Sequence, residues 1–181
     1  MKNINTKFIT RTAVLLALTI VFQVAGRSIP LGPNSNFIVG PLVNACLIIS
    51  TAIAGLWSGT IISIVAPYFA ALTSHSPLSP FILAFSPFIA AGNFILVLMI
   101  HLLRKRNYFV GLISGSVLKF IVLYGGLHIM LGIKTLPGPQ AQMVSFLFSW
   151  PQLVTALAGG VIAYSVLKVL LKSIKSDEIH L

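Results

Sequence analysis

The chain has 181 residues, of which 57% are hydrophobic and 8% are charged, and its mean hydropathy is +1.00. A soluble domain carries about 25% charged residues, so the composition excludes an ordinary soluble protein and indicates an integral membrane protein. The net charge of +10 comes from twelve Lys and Arg against Asp177 and Glu178. Because the basic residues lie mostly at the ends of apolar runs, this charge indicates membrane topology rather than nucleic-acid binding.

Six apolar segments are each long enough for a membrane-spanning helix, which needs about 17–25 residues. The predicted spans are residues 10–27, 36–56, 57–73, 81–103, 108–132 and 143–171. Proline-containing loops separate them at 28–35, 74–80 and 133–142, and 173–181 is a polar tail. The second and third spans form one apolar stretch that is too long for a single crossing. The prediction is an all-α integral membrane protein of one domain, residues 1–181, folded as a compact bundle of six transmembrane helices.

The distribution of positive charge predicts the orientation of this bundle. With the N-terminus inside, the outer loops hold only Arg27 and Lys134. The segments on the cytoplasmic side hold Lys2, Lys7, Arg11, Arg104, Lys105, Arg106, Lys168, Lys172 and Lys175. Positive residues accumulate on the cytoplasmic side of membrane proteins, so both termini are expected in the cytoplasm.

Lys119 stands near the middle of the fifth span, and no Asp or Glu occurs in the first 176 residues. A charge at that depth costs roughly 2.5–3.5 kcal/mol on insertion scales and by default indicates a functional site. The residue is about 11 positions from the inner end of its span, or roughly 16 Å, which is too far for its side chain to reach the headgroups. Two interpretations stay open, contact with a ligand and capping of helix carbonyls near Pro87 or Pro151.

Other polar and aromatic side chains fall in the outer half or at the middle of the predicted spans, as a pocket open to the exterior requires. The candidate substrate-binding residues are Lys119, Asn93, Trp150, Gln152, Asn44, Tyr124 and Tyr68. Asn44 and Asn93 could instead bridge helices, and Trp150 could belong to an interfacial aromatic belt.

Several motifs are missing from the sequence. It contains no G-x-x-x-x-G-K-[ST] phosphate-binding loop, no H-E-x-x-H and no cluster of metal-ligating residues. No catalytic residues, metal or cofactor are therefore expected in this chain, and it is not expected to be an enzyme. The spans also lack the carboxylates through which proton-coupled transporters commonly relay protons.

The first span carries Ala13-x-x-x-Ala17 near its cytoplasmic end, and small residues at this spacing allow another helix to approach closely. Together with six spans, cytoplasmic termini and an outward polar cluster, this motif resembles the substrate-binding S component of energy-coupling factor (ECF) transporters. The resemblance covers about residues 10–172.

This resemblance implies capture of a vitamin or related micronutrient outside the cell, at the plasma membrane of a prokaryote. It implies docking through Ala13 and Ala17 on a transmembrane T component, which couples to two cytoplasmic ATPase subunits that use ATP. It also implies that loops 28–35 and 74–80 gate the pocket.

The absence of an acid in the pocket favours a neutral or anionic substrate, and a flat ring could stack on Trp150, Tyr68 or Tyr124. A self-sufficient secondary transporter or channel acting as an oligomer is the main alternative. An intramembrane enzyme or assembly factor is a third.

Overall fold

The computed structural model describes residues 6–27, 32–74 and 76–173. These residues form helices, with no strand among them. The helices are α1 (Thr6–Arg27), α2 (Asn36–Ala54), α3 (Leu56–Leu72), α4 (Ser79–Leu103), α5 (Tyr108–Ile133), α6 (Gly138–Leu147) and α7 (Trp150–Ser173), and a short 3-10 turn (Gly32–Ser35) precedes α2. The first residues 28–31 of the predicted gating loop, His75 in the second such loop, and residues 174–181 of the predicted tail lie outside the described residues.

Length and hydropathy make five segments of the described chain suitable for crossing a membrane. The fifth of these, Gly138–Leu170, joins α6 to α7. The remaining apolar helix, α3, has 17 residues and is about 25 Å long, which is the lower limit for a span. The all-helical architecture with six apolar segments agrees with the prediction from the sequence.

Gly55 separates α2 from α3 within the long apolar stretch. Its φ of +90° lies in a region that residues with a Cβ rarely adopt, so glycine ends α2 there and lets the chain reverse. The turn is tight, since a single residue separates the two helices.

The C-terminal region differs from the sequence prediction. The expected loop 133–142 contains the start of α6, and the expected single span 143–171 is interrupted at Phe148 and Ser149. Pro151 explains the interruption, because a proline lacks the N–H and its ring clashes with the carbonyl four residues earlier, that of Leu147. That carbonyl accepts a hydrogen bond from Nε2 of Gln152 at 2.9 Å instead.

The helices pack around α2, which contacts α1, α3, α4 and α7. Two apolar cores result. The larger core surrounds Leu47, Ile48 and Leu96 and includes residues of α1 to α5 and α7. The smaller core lies between the start of α4, the end of α5 and α6, around Phe85 and Leu123. Because the helices alternate in direction, the bundle has two distinct ends. We call them the Arg104 end, where α1 starts and α4 ends, and the cavity end, where α1 ends and α2 starts.

Candidate functional site

A cavity of about 340 Å³ lies toward the cavity end of the bundle. Ligand pockets typically measure about 300–1,000 Å³, so this one suits a small molecule. Its lining includes residues of all seven helices, most of them apolar. The polar lining residues are Gln23, Ser35, Asn36, Asn44, Ser74, Asn93, Lys119 and Gln152.

Lys119 and Asn44 form a buried pair in this lining. Nζ of Lys119 donates a hydrogen bond to Oδ1 of Asn44 at 2.6 Å, and the two residues are 3% and 2% exposed. This is the only hydrogen bond of the Lys119 side chain within the described residues. An ammonium group carries three donors, so the pair leaves donors available to a further acceptor. A buried cation without a counter-charge favours an anionic or strongly accepting ligand group.

Two glycines on neighbouring helices make room for this pair. A Cβ on Gly159 of α7 would lie 2.6 Å from Cβ of Asn44 and 2.6 Å from the carbonyl oxygen of Pro41, closer than real contacts allow. A Cβ on Gly92 of α4 would lie 3.3 Å from Cγ of Lys119. The helices therefore pack directly against the two polar side chains, and this packing fixes where both side chains lie.

Asn93 is 4% exposed and lies in the cavity lining. Its side chain makes no hydrogen bond to any other described residue. Gln23 and Asn36 also belong to the lining, and Oε1 of Gln23 and Nδ2 of Asn36 are buried without a hydrogen-bond partner in the described part of the chain. Buried polar atoms are normally paired, so these two unpaired amide atoms in the wall of one cavity are consistent with a ligand that pairs them. Neither Gln23 nor Asn36 was among the candidate residues, although both lie near the cavity end of their helices, which the sequence predicts to face outward.

Gln152 lines the cavity and also caps the last turn of α6 through the bond to Leu147 described above. The carbonyl near Pro151 thus has its own donor, and Lys119 bonds to Asn44 instead. Of the seven candidate binding residues, the cavity brings together Lys119, Asn93, Gln152 and Asn44.

The three aromatic candidates lie outside the cavity lining. Trp150 is 53% exposed and packs against Phe37, with ring centroids 5.7 Å apart. Tyr124 is 44% exposed and contacts His128 edge to face. Tyr68 on α3 is partly buried but is not part of the lining. Depth along a helix does not reveal which face of the helix a residue occupies: Tyr124 is on the same helix as Lys119 but is exposed, whereas Lys119 is buried.

The edges of both loops expected to gate the pocket contribute to the cavity. Ser35 precedes α2 and Ser74 follows α3, and both line it. No group of three His, Cys, Asp or Glu side chains among residues 6–27, 32–74 and 76–173 could hold a metal ion.

Helix α1 has one buried and one exposed face. Thr12, Leu15 and Thr19 are buried against the bundle. Ala13 and Ala17 are exposed and share their face with larger exposed side chains, including Val14 and Leu18. The exposed alanines form a shallow strip on which a second helix could pack closely.

At the Arg104 end, two arginine side chains donate hydrogen bonds to backbone carbonyls. Nη1 of Arg104 donates to the carbonyls of Thr51 and Ala52, both at 3.3 Å, and Nη1 of Arg11 donates to that of Ile53 at 2.9 Å. These carbonyls belong to the last turn of α2, where the helix leaves acceptors unpaired and where positive charge is favourable.

A comparison with protein-family models gives one match, to the ECF transporter, substrate-specific component, over residues 7–171. Comparisons with curated proteins and with solved structures give no significant match. Members of this family are transporter subunits rather than enzymes, which agrees with the apolar helices and the multi-pass membrane architecture described above. The match extends over nearly all of the helical bundle, and the chain belongs to the family of substrate-specific components of ECF transporters.

Proposed function

We propose that this protein is the substrate-capture subunit of an ATP-driven importer and binds a small water-soluble vitamin or related micronutrient, neutral or anionic, in the cavity around Lys119. The observation that carries the proposal is the buried Lys119–Asn44 pair in the lining of a small cavity with unpaired amides. If the Lys119–Asn44 pair only held two helices together, no cavity would be needed beside it. A binding site needs both the polar pair and the cavity.

The orientation in the membrane follows from the charges at the two ends. Lys7, Arg11, Arg104, Lys105, Arg106 and Lys168 lie toward the Arg104 end. Of the basic residues with described side chains, Lys134 lies at the cavity end. By the preference of positive charge for the cytoplasm, the Arg104 end and both termini face inward and the cavity faces outward, at the plasma membrane of a prokaryote.

Docking takes place through the exposed face of α1. Ala13 and Ala17 pack against a helix of a transmembrane T component, which couples to two cytoplasmic ATPase subunits that supply the energy of ATP. The support is the exposure of both alanines on a membrane helix whose opposite face is buried in the bundle. In this scheme the present chain binds substrate and needs no cofactor of its own.

Replacing one alanine of this face tests the docking proposal. We expect Ala13→Trp to abolish copurification with the T component and the ATPases, because the indole ring would hold the helices apart. The purified variant should bind substrate as the wild type does. Ala91→Trp, at an exposed position of α4, is the matched control and should copurify normally. Normal complex formation by Ala13→Trp would contradict docking through this face.

A transport measurement separates the importer subunit from the self-sufficient transporter. Proteoliposomes that contain this chain alone should not accumulate substrate. Accumulation should require the T component, the ATPases and ATP. Concentrative uptake by the single chain without ATP would overturn the proposed function.

A further inference from the structure

Five of the eight polar lining residues of the cavity form two separate sets. Lys119, Asn44 and Asn93 lie at the middle of their helices, and we call this set the deep group. Gln23 and Asn36 lie at the ends of α1 and α2, and we call this set the outer pair. Asn36 and Asn44 are eight residues apart on the same helix, which corresponds to roughly 12 Å along the helix axis.

The two sets differ in the chemistry that they offer. Among the described lining residues, the deep group contains the only cationic side chain, and none of these residues is a carboxylate. The outer pair consists of primary amides, each of which can both donate and accept a hydrogen bond. One buried atom on each member, Oε1 of Gln23 and Nδ2 of Asn36, lacks a partner within the described residues. The outer pair therefore suits a hydroxyl or amide group, which also donates and accepts.

Between the two sets the lining is aliphatic. Val39 and Val43 lie on α2 between Asn36 and Asn44, and Ile82 and Ile89 face the same cavity from α4. Phe148 is the one aromatic residue among the described lining side chains. These described residues therefore offer no opposed pair of aromatic faces between which a flat ring could stack. The body of a matching ligand is therefore aliphatic.

From this arrangement we infer that the substrate is an elongated monoanion with an aliphatic body, whose acidic group binds Lys119 and whose far end carries a hydroxyl or amide group. The inference rests on the proposed function, because it assumes that the cavity holds the transported molecule. It narrows the substrate class by excluding cations and flat aromatic rings. It also assigns a specificity role to Gln23 and Asn36.

Ligand-induced thermal stabilisation of the full chain in lipid nanodiscs tests the inference. Pantothenate and biotin each have a carboxylate, an aliphatic body and hydrogen-bonding groups at the far end. Panthenol replaces the pantothenate carboxylate with a hydroxyl, nicotinate is a flat aromatic anion and thiamine is a cation. We expect pantothenate or biotin to bind at least roughly tenfold more tightly than panthenol, nicotinate or thiamine, a difference of about 1.4 kcal/mol.

Two variants connect this preference to the proposed contacts. Lys119→Met should remove the preference for pantothenate over panthenol, while Lys134→Met, at an exposed lysine beyond the end of α5, should keep it. Asn36→Leu should weaken whichever of the two acids binds and leave the preference for the carboxylate in place.

The inference is overturned if neither acid stabilises the wild type, if panthenol binds as tightly as pantothenate, or if nicotinate or thiamine binds most tightly. Any of these results would still be compatible with the capture function if the complete importer takes up some compound with ATP and this uptake requires the present chain. Loss of the proposed function itself would appear instead as ATP-independent uptake by the isolated chain.

Discussion

The two ends of the bundle satisfy their buried polar groups in different ways. At the Arg104 end, Arg104 and Arg11 bond to the last carbonyls of α2, and the hydroxyl of Thr12 bonds to that of Ser58 at 2.8 Å. At the cavity end, Oε1 of Gln23 and Nδ2 of Asn36 are buried without a partner among the described residues. In a low-dielectric environment an unpaired polar group is costly, and such buried atoms occur at both ends of the described bundle, but of these only the atoms at the cavity end line the ligand-sized cavity.

This difference indicates a division of roles between two kinds of buried cation. Arg104 is 8% exposed and Lys119 is 3% exposed, yet only Arg104 caps a helix terminus. The carbonyls at that terminus carry part of the helix dipole, and an arginine there stabilises the fold. Lys119 bonds to a side-chain amide in the wall of a cavity, where its remaining donors suit a ligand. The pairing at the Arg104 end is not complete, because four buried atoms there have no partner in the described part of the chain: Nε of Arg104, Nδ1 of His101 and the hydroxyls of Ser63 and Ser116.

The largest expected effect on stability is that of Gly159→Ala, which should impair both the packing of the bundle and substrate binding. The new Cβ would meet the Pro41 carbonyl, a backbone atom that cannot move without shifting α2. We expect a loss of about 3 kcal/mol in the free energy of unfolding together with weaker substrate binding, since Asn44 would be displaced. Denaturant unfolding and binding assays on the purified protein measure the two effects.

Gly125→Ala is the matched control for this substitution. No atom lies within 4 Å of a Cβ at Gly125, so this variant should unfold like the wild type or slightly later. Equal stability of the Gly159 and Gly125 variants would show that the close approach of α7 to α2 is not required.

The next largest effect is expected for Arg104→Met. This change would leave the carbonyls of Thr51 and Ala52 buried without their donor, at a cost of about 2 kcal/mol in the free energy of unfolding. Substrate affinity should not change, because the residue lies at the opposite end from the cavity. Arg106→Met, at an exposed position in the same loop, is the control and should unfold normally. A large loss of affinity in Arg104→Met without a loss of stability would contradict the division of roles.

The smallest effect is expected for Asn36→Leu, which tests the contribution of an amide at the end of the cavity rather than that of Lys119. We expect affinity to fall roughly threefold, or about 0.7 kcal/mol, because one neutral hydrogen bond to the ligand is lost. Titration of the molecule that copurifies with the wild type, identified by mass spectrometry, measures this change. Gln142→Leu, at an exposed amide of α6, should bind as the wild type does. An Asn36→Leu affinity equal to that of the control would remove Asn36 from the site.

The sequence alone predicted the helical class, and four of the seven candidate binding residues line the cavity. Hydropathy depends on composition over a window, so the apolar segments were visible without coordinates. Lys119, Asn44, Asn93 and Gln152 were identified because depth can be counted along a helix. The sequence also contained a signal for the break before α7, since Pro151 stands inside the expected sixth span, but the interruption itself was not predicted.

The rest could not be predicted because it depends on rotation about the helix axes and on tertiary contacts. The exposure of Trp150 and Tyr124 could not be predicted for this reason. The burial of Arg104 could not be predicted either, because in the sequence this residue indicated only the orientation of the loop between two spans. The unpaired atoms of Gln23 and Asn36 became visible only when α1 and α2 were seen against the same cavity. Pairing between residues as distant in sequence as Asn44 and Lys119 has no local signal.

The most direct test of this division of roles compares Lys119→Met with Arg104→Met for both substrate affinity and thermal stability. Lys119→Met should lose at least roughly tenfold in affinity, about 1.4 kcal/mol, while its stability falls less than that of Arg104→Met, because removal of a buried charge offsets the loss of the donor to Oδ1 of Asn44. Arg104→Met should show the reverse pattern. Unchanged affinity in a folded Lys119→Met protein would contradict the assignment of the cavity as the substrate site.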